Sequence, residues 1–234
     1  MKIVHIITTL GDGGAERTLF NISKNSQLQS QVIVSLLDQG KYGELLSKLG
    51  VKVYYLKMKP NIFFIFKIFS LMKILYYEKP DIVQTWMYHA DFFGSIASIL
   101  IGIKNIFWNI RHSELQKNHS NRKTIYIIKI LTKLSWWVPK KIIVNSKRSI
   151  KVHKKLGYCS KKFLYIPNGY DLSKLKPTNK KFFSIRKRLK IKKNKYLIGL
   201  VGRYNLAKDH FNLLNALYLL KNQKIDFFCV LGGK

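Results

Sequence analysis

The chain has 234 residues, enough for one full domain and part of another. A hydrophobic share of 47% excludes an intrinsically disordered protein and supplies a sizeable core. Lys and Arg number 43 against 11 Asp and Glu, and the formal net charge of +32 favours anionic partners such as nucleic acid, acidic lipid or a phosphorylated substrate. The excess is mostly lysine and comes with abundant Ile, Asn, Tyr and Phe, so biased nucleotide composition is the alternative explanation for part of it.

Cysteine usage and the apolar runs bear on the cellular compartment. Cys159 and Cys229 stand far apart, without a histidine at metal-binding spacing, which favours reduced thiols in a cytosolic protein. The amino terminus passes directly into a strand, so we do not expect a secretory signal. No uninterrupted apolar run reaches the length of a membrane span.

The first element in chain order is the stretch Lys2 to Ile22, KIVHIITTLGDGGAERTLFNI. An apolar run, a turn with Gly11, Gly13 and Gly14, and a helical period from Ala15 together predict a strand, a loop and a helix. Glycines let backbone amides approach a ligand, and the helix amino terminus carries partial positive charge that suits phosphate. The loop is therefore the first candidate site, and a glycine turn that only closes the loop is the alternative.

Strands and helices then alternate, which predicts a parallel sheet with helices on both faces. The next predicted elements are the strand Gln31–Leu37, a short helix over Tyr42–Leu49 and the strands Val51–Leu56 and Lys79–Thr85. Pro60 opens a helix that ends at Glu78 and is apolar nearly all round, with Lys67 and Lys73 as interruptions. We expect either a buried core helix or a helix that lies at a membrane interface.

Polar residues follow two of the predicted strands. His89 and Asp91 follow the strand that ends at Thr85, ahead of a helix predicted to begin at Phe92. Ligands of open parallel sheets bind outside the carboxyl ends of the strands, so both side chains are candidate site residues. The next strand likewise ends in polar residues, namely Arg111, His112, Ser113 and Glu114. A helix cap at Asp91 and structural histidines are the alternatives.

The second half of the first domain continues the alternation. Its predicted elements are the strand Asn105–Ile110, a helix over Thr124–Trp137, the strand Lys141–Ser146, a helix over Lys147–Leu156 and a strand within Phe163–Asp171. Trp136 and Trp137 stand beside lysines, a mixture that suits a lipid headgroup interface but is also explained by packing on the sheet. Pro167, Asn168 and Gly169 precede a lysine-rich polar stretch, which predicts a domain boundary.

The predicted domains are residues 1–170 and 194–234, joined by a linker over 171–193. The second contains the strands Tyr196–Val201 and Ile225–Leu231 and a helix over Phe211–Leu220. Arg203 can fork onto phosphate oxygens, and Lys208 adds a point charge near the start of that helix. This is the second candidate anion site; Asp209 and His210 are candidates for capping the helix.

Six motifs occur in order over essentially the whole chain: KIVHIITTLGDGGAER, PDIVQTWMYHAD, NIRHSE, KIIVNS, IPNGYD and GRYNLAKDH. In this order and spacing the chain resembles the group 1 glycosyltransferases, family 4 of the retaining, sugar-nucleotide-dependent enzymes with the GT-B fold. The resemblance implies an α/β protein with a complete N-terminal Rossmann-like domain, which holds the acceptor. It also implies the start of a second Rossmann-like domain, which holds the nucleotide sugar.

The resemblance further implies roles for individual residues. Gly13 and Gly14 match the glycine loop whose backbone reaches the donor diphosphate, and His112 matches the histidine near the transferred sugar. Arg203 and Lys208 match the pair that grips the leaving diphosphate, and with His112 they are the expected catalytic residues. The expected acceptor side of the cleft comprises Glu16, His89, Asp91, Arg111, Asn145 and Ser146, and the expected hinge comprises Asn168, Gly169 and Asp171.

The chemistry of sugar transfer accords with these residue types. Breaking a glycosyl-phosphate bond develops negative charge on the diphosphate, so fixed cations stabilise the transition state, and loss of one costs on the order of 10²- to 10³-fold in rate. The resemblance implies that these cations act in place of a divalent metal, so we expect a UDP- or GDP-sugar donor and no metal or cofactor. It also implies that a donor phosphate oxygen takes the acceptor's proton.

The chain departs from the family beyond Leu231, where the second domain normally continues with further strand and helix units. We therefore expect a fragment that is weakly active or inactive alone. The expected reaction is hexosyl transfer to a polysaccharide or lipid-linked acceptor, as in lipopolysaccharide synthesis. We expect it in the cytoplasm, peripherally on the inner face of the cytoplasmic membrane, with anionic lipid as a partner.

Two other functions are weighed against this one. The first is a non-catalytic relic that binds the acceptor but not the nucleotide. The second is a basic nucleic-acid-binding module, which draws only on the charge of +32. Because the sequence contains no motif typical of RNA or DNA recognition, nucleic acid is not an expected partner.

Overall fold

The computed structural model of the protein describes residues 1–25, 30–58, 64–112, 122–175, 185–202, 204 and 206–233. The chain divides into two compact units, Met1–Gly169 and Tyr170–Lys234. Each unit is described by itself below.

The first unit is built on a parallel sheet. Its strands are β1 (Lys2–Ile7), β2 (Ser30–Ser35), β3 (Lys52–Tyr55), β4 (Ile82–Trp86), β5 (Ile106–Ile110), β6 (Lys141–Val144) and β7 (Phe163–Tyr165). They form a seven-stranded sheet in the order β3-β2-β1-β4-β5-β6-β7, and each pair of neighbours is parallel. The predicted parallel α/β sheet is therefore confirmed.

Helices connect the strands and cover both faces of this sheet. They are α1 (Gly14–Asn25), α2 (Gly40–Lys48), α3 (Phe64–Glu78), α4 (Tyr88–Leu100), α5 (Arg122–Leu134) and α6 (Lys147–Lys155). Successive strand residues point to opposite faces. Val4 and Ile6 of β1 accordingly pack with α3 and α4, whereas Ile7 packs with α1 and α2. A third cluster, around Trp108, joins β5 and β6 to α4, α5 and α6.

Helix α4 begins earlier than the sequence predicts. It starts at Tyr88 and not at Phe92, so His89 and Asp91 lie in its first turns and not in a loop. Met87, just before it, has φ 73° and ψ 161° and makes no side-chain capping bond. A capping side chain is the usual sequence signal for the start of a helix. Since Met87 provides none, the sequence does not reveal where α4 begins.

Helix α3 has one buried side and one exposed side. Leu71 and Leu75 are buried in the core, whereas Phe66 and Phe69 are 65% and 60% exposed. The five residues that precede Phe64 lie outside the described residues. Across the described parts of the chain, no helix has both the length and the apolar character needed to cross a bilayer.

The second unit contains a two-stranded parallel sheet of β8 (Tyr196–Val201) and β9 (Phe227–Gly232). They are joined by α7 (His210–Asn222), and residues 185–188 form a helical turn. In α7 none of the described side chains is buried, and Phe211 is 75% exposed. The predicted strands and helix of this unit are confirmed, whereas residues 176–184 of the predicted linker lie outside the described residues.

Candidate active site

The order of the sheet reverses between β1 and β4, which are hydrogen-bonded neighbours with Ile7 beside Trp86. The glycine loop follows β1, and Met87 follows β4, so both leave the sheet at the same edge. Such a reversal opens a crevice at the carboxyl ends of the strands, where open α/β sheets bind their ligands. The residues after β5, β6 and β7 lie along this same carboxyl edge.

The glycine loop is shaped by close contacts. A Cβ on Gly13 would collide with the carboxylate of Glu16, so the loop holds this side chain against its own backbone. Gly40, at the start of α2, has φ +48° and abuts the backbone of Leu10, which no other residue would permit without strain. Gly14 has open space around its Cβ position. The loop therefore presents its backbone at the carboxyl edge, beside a carboxylate.

Arg111, directly after β5, links several parts of this edge. Its Nη1 donates to Oδ1 of Asn168 and, at 3.5 Å, to Oγ1 of Thr18 in α1. Its Nε donates to Oδ1 of Asn109 at 3.1 Å. The guanidinium carbon lies 5.3 Å from the centroid of the Trp86 ring at the end of β4. Arg111 thus connects α1, β4, β5 and the segment after β7.

Behind this arginine, Trp86 is anchored in the core. Its Nε1 donates to Nδ1 of His5 over 3.3 Å, and the two rings meet edge to face at 6.0 Å. Burial lowers the pKa of His5 to about 4, so its ring is neutral at pH 7 and its Nδ1 is free to accept this bond. The Trp86 ring, over which the Arg111 guanidinium lies, is therefore held in place by His5 of β1.

His112 lies next to Arg111 and is exposed. Its ring stacks on Tyr88, with 6.0 Å between centroids and an interplanar angle of 14°. The surrounding protein lowers the pKa of His112 by desolvation, so the imidazole is neutral at pH 7. Its backbone carbonyl accepts a bond from Ser149 Oγ at 2.8 Å. Both the ring and the carbonyl of His112 are thereby held at the carboxyl edge.

Asp91 is placed differently from the prediction. It is fully buried, and its Oδ1 accepts a 2.5 Å bond from Thr85 Oγ1 of β4. Its Oδ2 has no hydrogen-bond partner among the residues that the structure describes. Burial raises the pKa of Asp91 well above its ordinary value, against the opposing effect of bonds from Thr85 and the Asn109 backbone. The carboxyl therefore lies beneath the site, which corrects both the expectation of a cleft residue and that of a helix cap.

The other residues predicted for the acceptor side occupy the same edge. His89 is half-buried in the first turn of α4, and desolvation lowers its pKa. Asn145 and Ser146 follow β6 and are half-buried. Ser146 is the N-cap of α6, where its Oγ accepts from the Ser149 amide at 3.0 Å. Ser146 is thus engaged in starting a helix, a role that the sequence analysis did not assign to it.

The predicted hinge residues follow β7. Asn168 and Gly169 are exposed at the end of the first unit, and Asn168 is held by Arg111. Asp171 belongs to the second unit and accepts from the amide and hydroxyl of Ser173, at 3.1 and 2.5 Å.

The second candidate anion site lies wholly in the second unit. The stem of Lys208 packs along Gly202, where a Cβ would come within 3.2 Å of its Cδ. Asp209 adopts a left-handed conformation and caps α7 by accepting from the Asn212 amide at 3.3 Å. This confirms the alternative in which Asp209 is a cap. Arg203, the other predicted cation, lies outside the described residues.

Sequence reasoning missed the side chains that support the candidate residues. They include Tyr88, His153 and Ser149, which contact His112 directly or through one another. The spacing of Ser149 and His153 places both on one face of α6, which is visible in the sequence. The contact of His153 with Tyr88, 65 positions away, is not visible there.

The sheet order, the glycine loop at the reversal and the polar residues along one edge define a Rossmann-like α/β domain. The profile of Glycosyltransferase Family 4 matches residues 12–174, more than half of the chain. The chain belongs to this family, and the predicted resemblance to group 1 glycosyltransferases is confirmed.

A curated relative and several solved structures resemble the chain. The relative is the UDP-Gal:alpha-D-GlcNAc-diphosphoundecaprenol alpha-1,3-galactosyltransferase of Escherichia coli, 28% identical over 169 residues, which are 70% of this chain and 43% of the relative. HepE from Anabaena in complex with UDP matches with a TM-score of 0.81 at 20% identity, over 100% of this chain and 62% of that one. A glycosyltransferase from Rickettsia africae matches with a TM-score of 0.73 at 20% identity, over 100% and 60%.

These likenesses confirm the predicted GT-B type of α/β fold. The chain spans less than two thirds of the length of each of these relatives.

Proposed function

We propose that this protein takes part in sugar transfer from a UDP-sugar to a lipid-linked glycan, with retention of configuration. The observation that carries the proposal is the family match over residues 12–174, which includes the glycine loop, His112 and Asn168. The Escherichia coli relative is named for a UDP-Gal donor and a diphosphoundecaprenol-linked acceptor. Anabaena HepE has been solved with UDP-glucose, and its fold matches with a TM-score of 0.77 at 18% identity. These names favour UDP over GDP as the donor nucleotide.

The roles proposed for the residues follow from their chemistry. Arg203 and Lys208 bind the leaving diphosphate, where fixed cations stabilise the charge that develops as the glycosyl bond breaks. The backbone of Gly13 and Gly14 approaches the donor at the amino terminus of α1, where there is open space around the Cβ position of Gly14. Glu16 suits a hydroxyl of the acceptor better than it suits phosphate, because its carboxylate only accepts hydrogen bonds.

His112 is proposed to contact the transferred sugar. At the carboxyl edge, a neutral imidazole can accept and donate hydrogen bonds to sugar hydroxyls without adding charge, and the backbone carbonyl of His112 can accept them. The acceptor's proton passes to a donor phosphate oxygen, so the reaction needs no second carboxylate of the glycosidase type.

A transfer assay tests this function. The protein is incubated with UDP-galactose, UDP-glucose or GDP-mannose and a diphosphate-linked lipid that carries one sugar, and the products are analysed by mass spectrometry. We expect a product one hexose heavier from a UDP-sugar, with the anomeric configuration of the donor. The Arg203→Ala, Lys208→Ala double variant should not form this product. Acceptor binding without any affinity for nucleotide would support the non-catalytic relic instead.

The exposed side of α3 favours contact with an anionic membrane. Phe66, Phe69, Tyr76 and Tyr77 are exposed on α3, and Lys73 lies 5.9 Å from the centroid of the Tyr77 ring. Exposed aromatic side chains with lysines are typical of helices that lie at a lipid interface. A lipid-linked acceptor would be presented at such an interface, and the cytoplasmic face is the side that we propose.

Sedimentation with vesicles tests the membrane contact. The protein should sediment with vesicles of phosphatidylglycerol and phosphatidylcholine and not with phosphatidylcholine alone. A Phe66→Ser, Phe69→Ser variant should bind at least several-fold more weakly, because it removes aromatic surface and leaves the charge unchanged. Equal binding by this variant would assign the attraction to net charge alone, and no binding by the parent protein would remove the membrane from the proposal.

A further inference from the structure

Three residues from two helices, Tyr88 of α4 and Ser149 and His153 of α6, form a closed ring of contacts with His112. The imidazole of His112 stacks on Tyr88 of α4 at 6.0 Å between centroids. The hydroxyl of Tyr88 meets Nε2 of His153 in α6 at 2.8 Å, and Nδ1 of His153 meets the carbonyl oxygen of Ser149 at 2.7 Å. Ser149 Oγ donates a hydrogen bond to the carbonyl oxygen of His112 at 2.8 Å, which closes the ring. The ring therefore holds both the side chain and the backbone of His112.

Hydrogen-bond chemistry fixes the protons in this ring of contacts. A backbone carbonyl only accepts, so Nδ1 of His153 must carry the proton that bonds Ser149. A neutral imidazole then has Nε2 as its acceptor, and the hydroxyl of Tyr88 must donate to it. Burial lowers the pKa of His153, more than the bond to Ser149 raises it, and keeps this neutral form at pH 7. The phenol is thus oriented by a single tautomer of a buried histidine.

The position of His153 makes this arrangement rigid. His153, Ser149 and Tyr88 are all buried, whereas His112 is exposed. Tyr158 packs edge to face on His153 at 5.2 Å between centroids and is itself buried. An exposed imidazole is therefore carried on a buried support that comes from two other helices of the same unit.

We propose that Tyr88, His153 and Ser149 are positioning residues that fix the orientation of His112 toward the sugar of the donor. The inference rests on the proposed function for the role of His112, and on the contacts alone for its orientation. All three supporting side chains are buried, so their proposed effect is transmitted through His112. Their effect is to remove alternative ring and carbonyl orientations of His112 before the donor binds, and preorganisation of this kind increases affinity.

Variants at position 153 separate positioning from mere packing. His153→Leu fills the space but cannot accept from Tyr88. His153→Gln supplies one acceptor and one donor, as the neutral imidazole does. Tyr88→Phe keeps the stacked ring and removes only the hydroxyl. Each variant is compared with the parent protein by the dispersion of its amide spectrum, so that a misfolded variant is recognised.

The first readout is the NMR spectrum of protein with ¹⁵N- and ¹³C-labelled histidine. The chain has 6 histidines, and a His112→Gln variant assigns the His112 signals. We expect His153 to show the Nδ1-H tautomer and the His112 ring protons to be shifted upfield by the Tyr88 ring. In His153→Leu and Tyr88→Phe the His112 signals should move toward free histidine, and in His153→Gln they should stay. Unchanged His112 signals in a folded His153→Leu variant would overturn the inference.

The second readout is the ratio of UDP-sugar affinity to UDP affinity. We expect this ratio to fall about threefold to tenfold in His153→Leu and Tyr88→Phe, the effect of one neutral hydrogen bond, with UDP affinity unchanged. His153→Gln should restore it. An unchanged ratio in the variants would overturn the positioning role. If the parent protein binds neither ligand, the proposed function fails, and the NMR result still decides the orientation of His112.

Discussion

The guanidinium of Arg111 lies over the indole ring of Trp86, with 5.3 Å from its carbon to the ring centroid. The same group donates to Asn168, which follows the last strand of the sheet. A planar guanidinium can stack on an aromatic ring and donate several hydrogen bonds at the same time, whereas an ammonium group cannot stack in this way. Arg111 therefore joins the centre of the sheet edge to the segment that leads out of the first unit.

Replacing Arg111 with Lys should destabilise the first unit by about 1–2 kcal/mol, because charge is kept but the stacking and the paired bonds are lost. Urea unfolding measures this. A double-mutant cycle with Asn168→Ala should give a coupling of about 1 kcal/mol between the two sites. Arg122→Lys, at an exposed residue of α5, is the control and should have little effect. A coupling near zero would show that Arg111 and Asn168 act independently.

Asp91→Asn should change the free energy of unfolding, relative to the parent protein, in the stabilising direction as the pH rises. Burial raises the folded pKa of Asp91 well above the ordinary 3.8, so above that pH the unfolded chain releases a proton that the folded chain retains. The stability that Asp91 contributes is thus full below about pH 4 and is lost at higher pH, up to the folded pKa. Asn keeps an acceptor for Thr85 and has no proton to lose.

The measurement for Asp91 is urea unfolding at pH 4 and pH 7. The free energy of unfolding of the variant minus that of the parent protein should be larger at pH 7. Asp38→Asn, at an exposed position, serves as the control for removing a carboxylate. A difference that is flat or smaller at pH 7 would mean that Asp91 is ionised in the folded protein.

Glu78 has the opposite pH dependence. It is buried, and its carboxylate bonds Lys2, Lys52 at 2.8 Å and Tyr54 at 2.6 Å. Burial acts to raise its pKa, but these bonds outweigh it and lower the pKa to about 2. Its stabilisation is present above the ordinary value of 4.5 and is lost as the pH falls through about 2.

Glu78→Gln should therefore cost about 1–3 kcal/mol at pH 7, and the cost should shrink between pH 4.5 and pH 2. Urea unfolding over that range measures it. The exposed pair Glu44 and Lys48, 2.6 Å apart within α2, offers the control, since Glu44→Gln should have little effect on the free energy of unfolding. An equal cost for both variants would show that the burial of Glu78 is unimportant.

Gly94 permits close contact between α4 and the sheet. A Cβ there would lie 2.6 Å from Cγ2 of Thr85 and 3.0 Å from Cδ1 of Ile6. Alanine favours a helix by about 1 kcal/mol over glycine, but the overlap should cost more, so Gly94→Ala should be destabilising by about 1–3 kcal/mol in thermal or urea unfolding. Gly199→Ala, whose nearest contact is 3.9 Å, is the control. A stabilised Gly94→Ala variant would show that α4 moves aside without cost.

The sheet was predictable because its signals are local. Apolar runs such as the one that ends at Ile7, and the helical periods that follow them, appear in the sequence without reference to any distant residue. The start of α4 was missed because Met87 holds a left-handed backbone and offers no cap. The Met87 amide donates to the carbonyl of Asn109 in β5 at 3.0 Å, and a single-sequence pattern does not contain such a contact.

The candidate site was only partly predictable for the same reason. The positions of His112 and Arg111 follow from the rule that strand ends share one edge. Their partners do not, because Arg111 meets Asn168 across 57 positions and Tyr88 meets His153 across 65. The burial of Asp91 likewise depends on Thr85 and on the strand that contains Asn109. Such pairings are set by the packing of helices on the sheet and have no fixed sequence spacing.

Calorimetric titration of the protein with UDP and with GDP tests the central claim most directly, with the Arg203→Ala, Lys208→Ala variant as the matched control. The account predicts saturable binding of UDP, weaker binding of GDP, and loss of UDP binding by about 10-fold or more in the variant, since two charged contacts are removed. Equal UDP binding by both proteins, or no UDP binding by the parent protein, would contradict the claim that these cations form a nucleotide-sugar site in this chain.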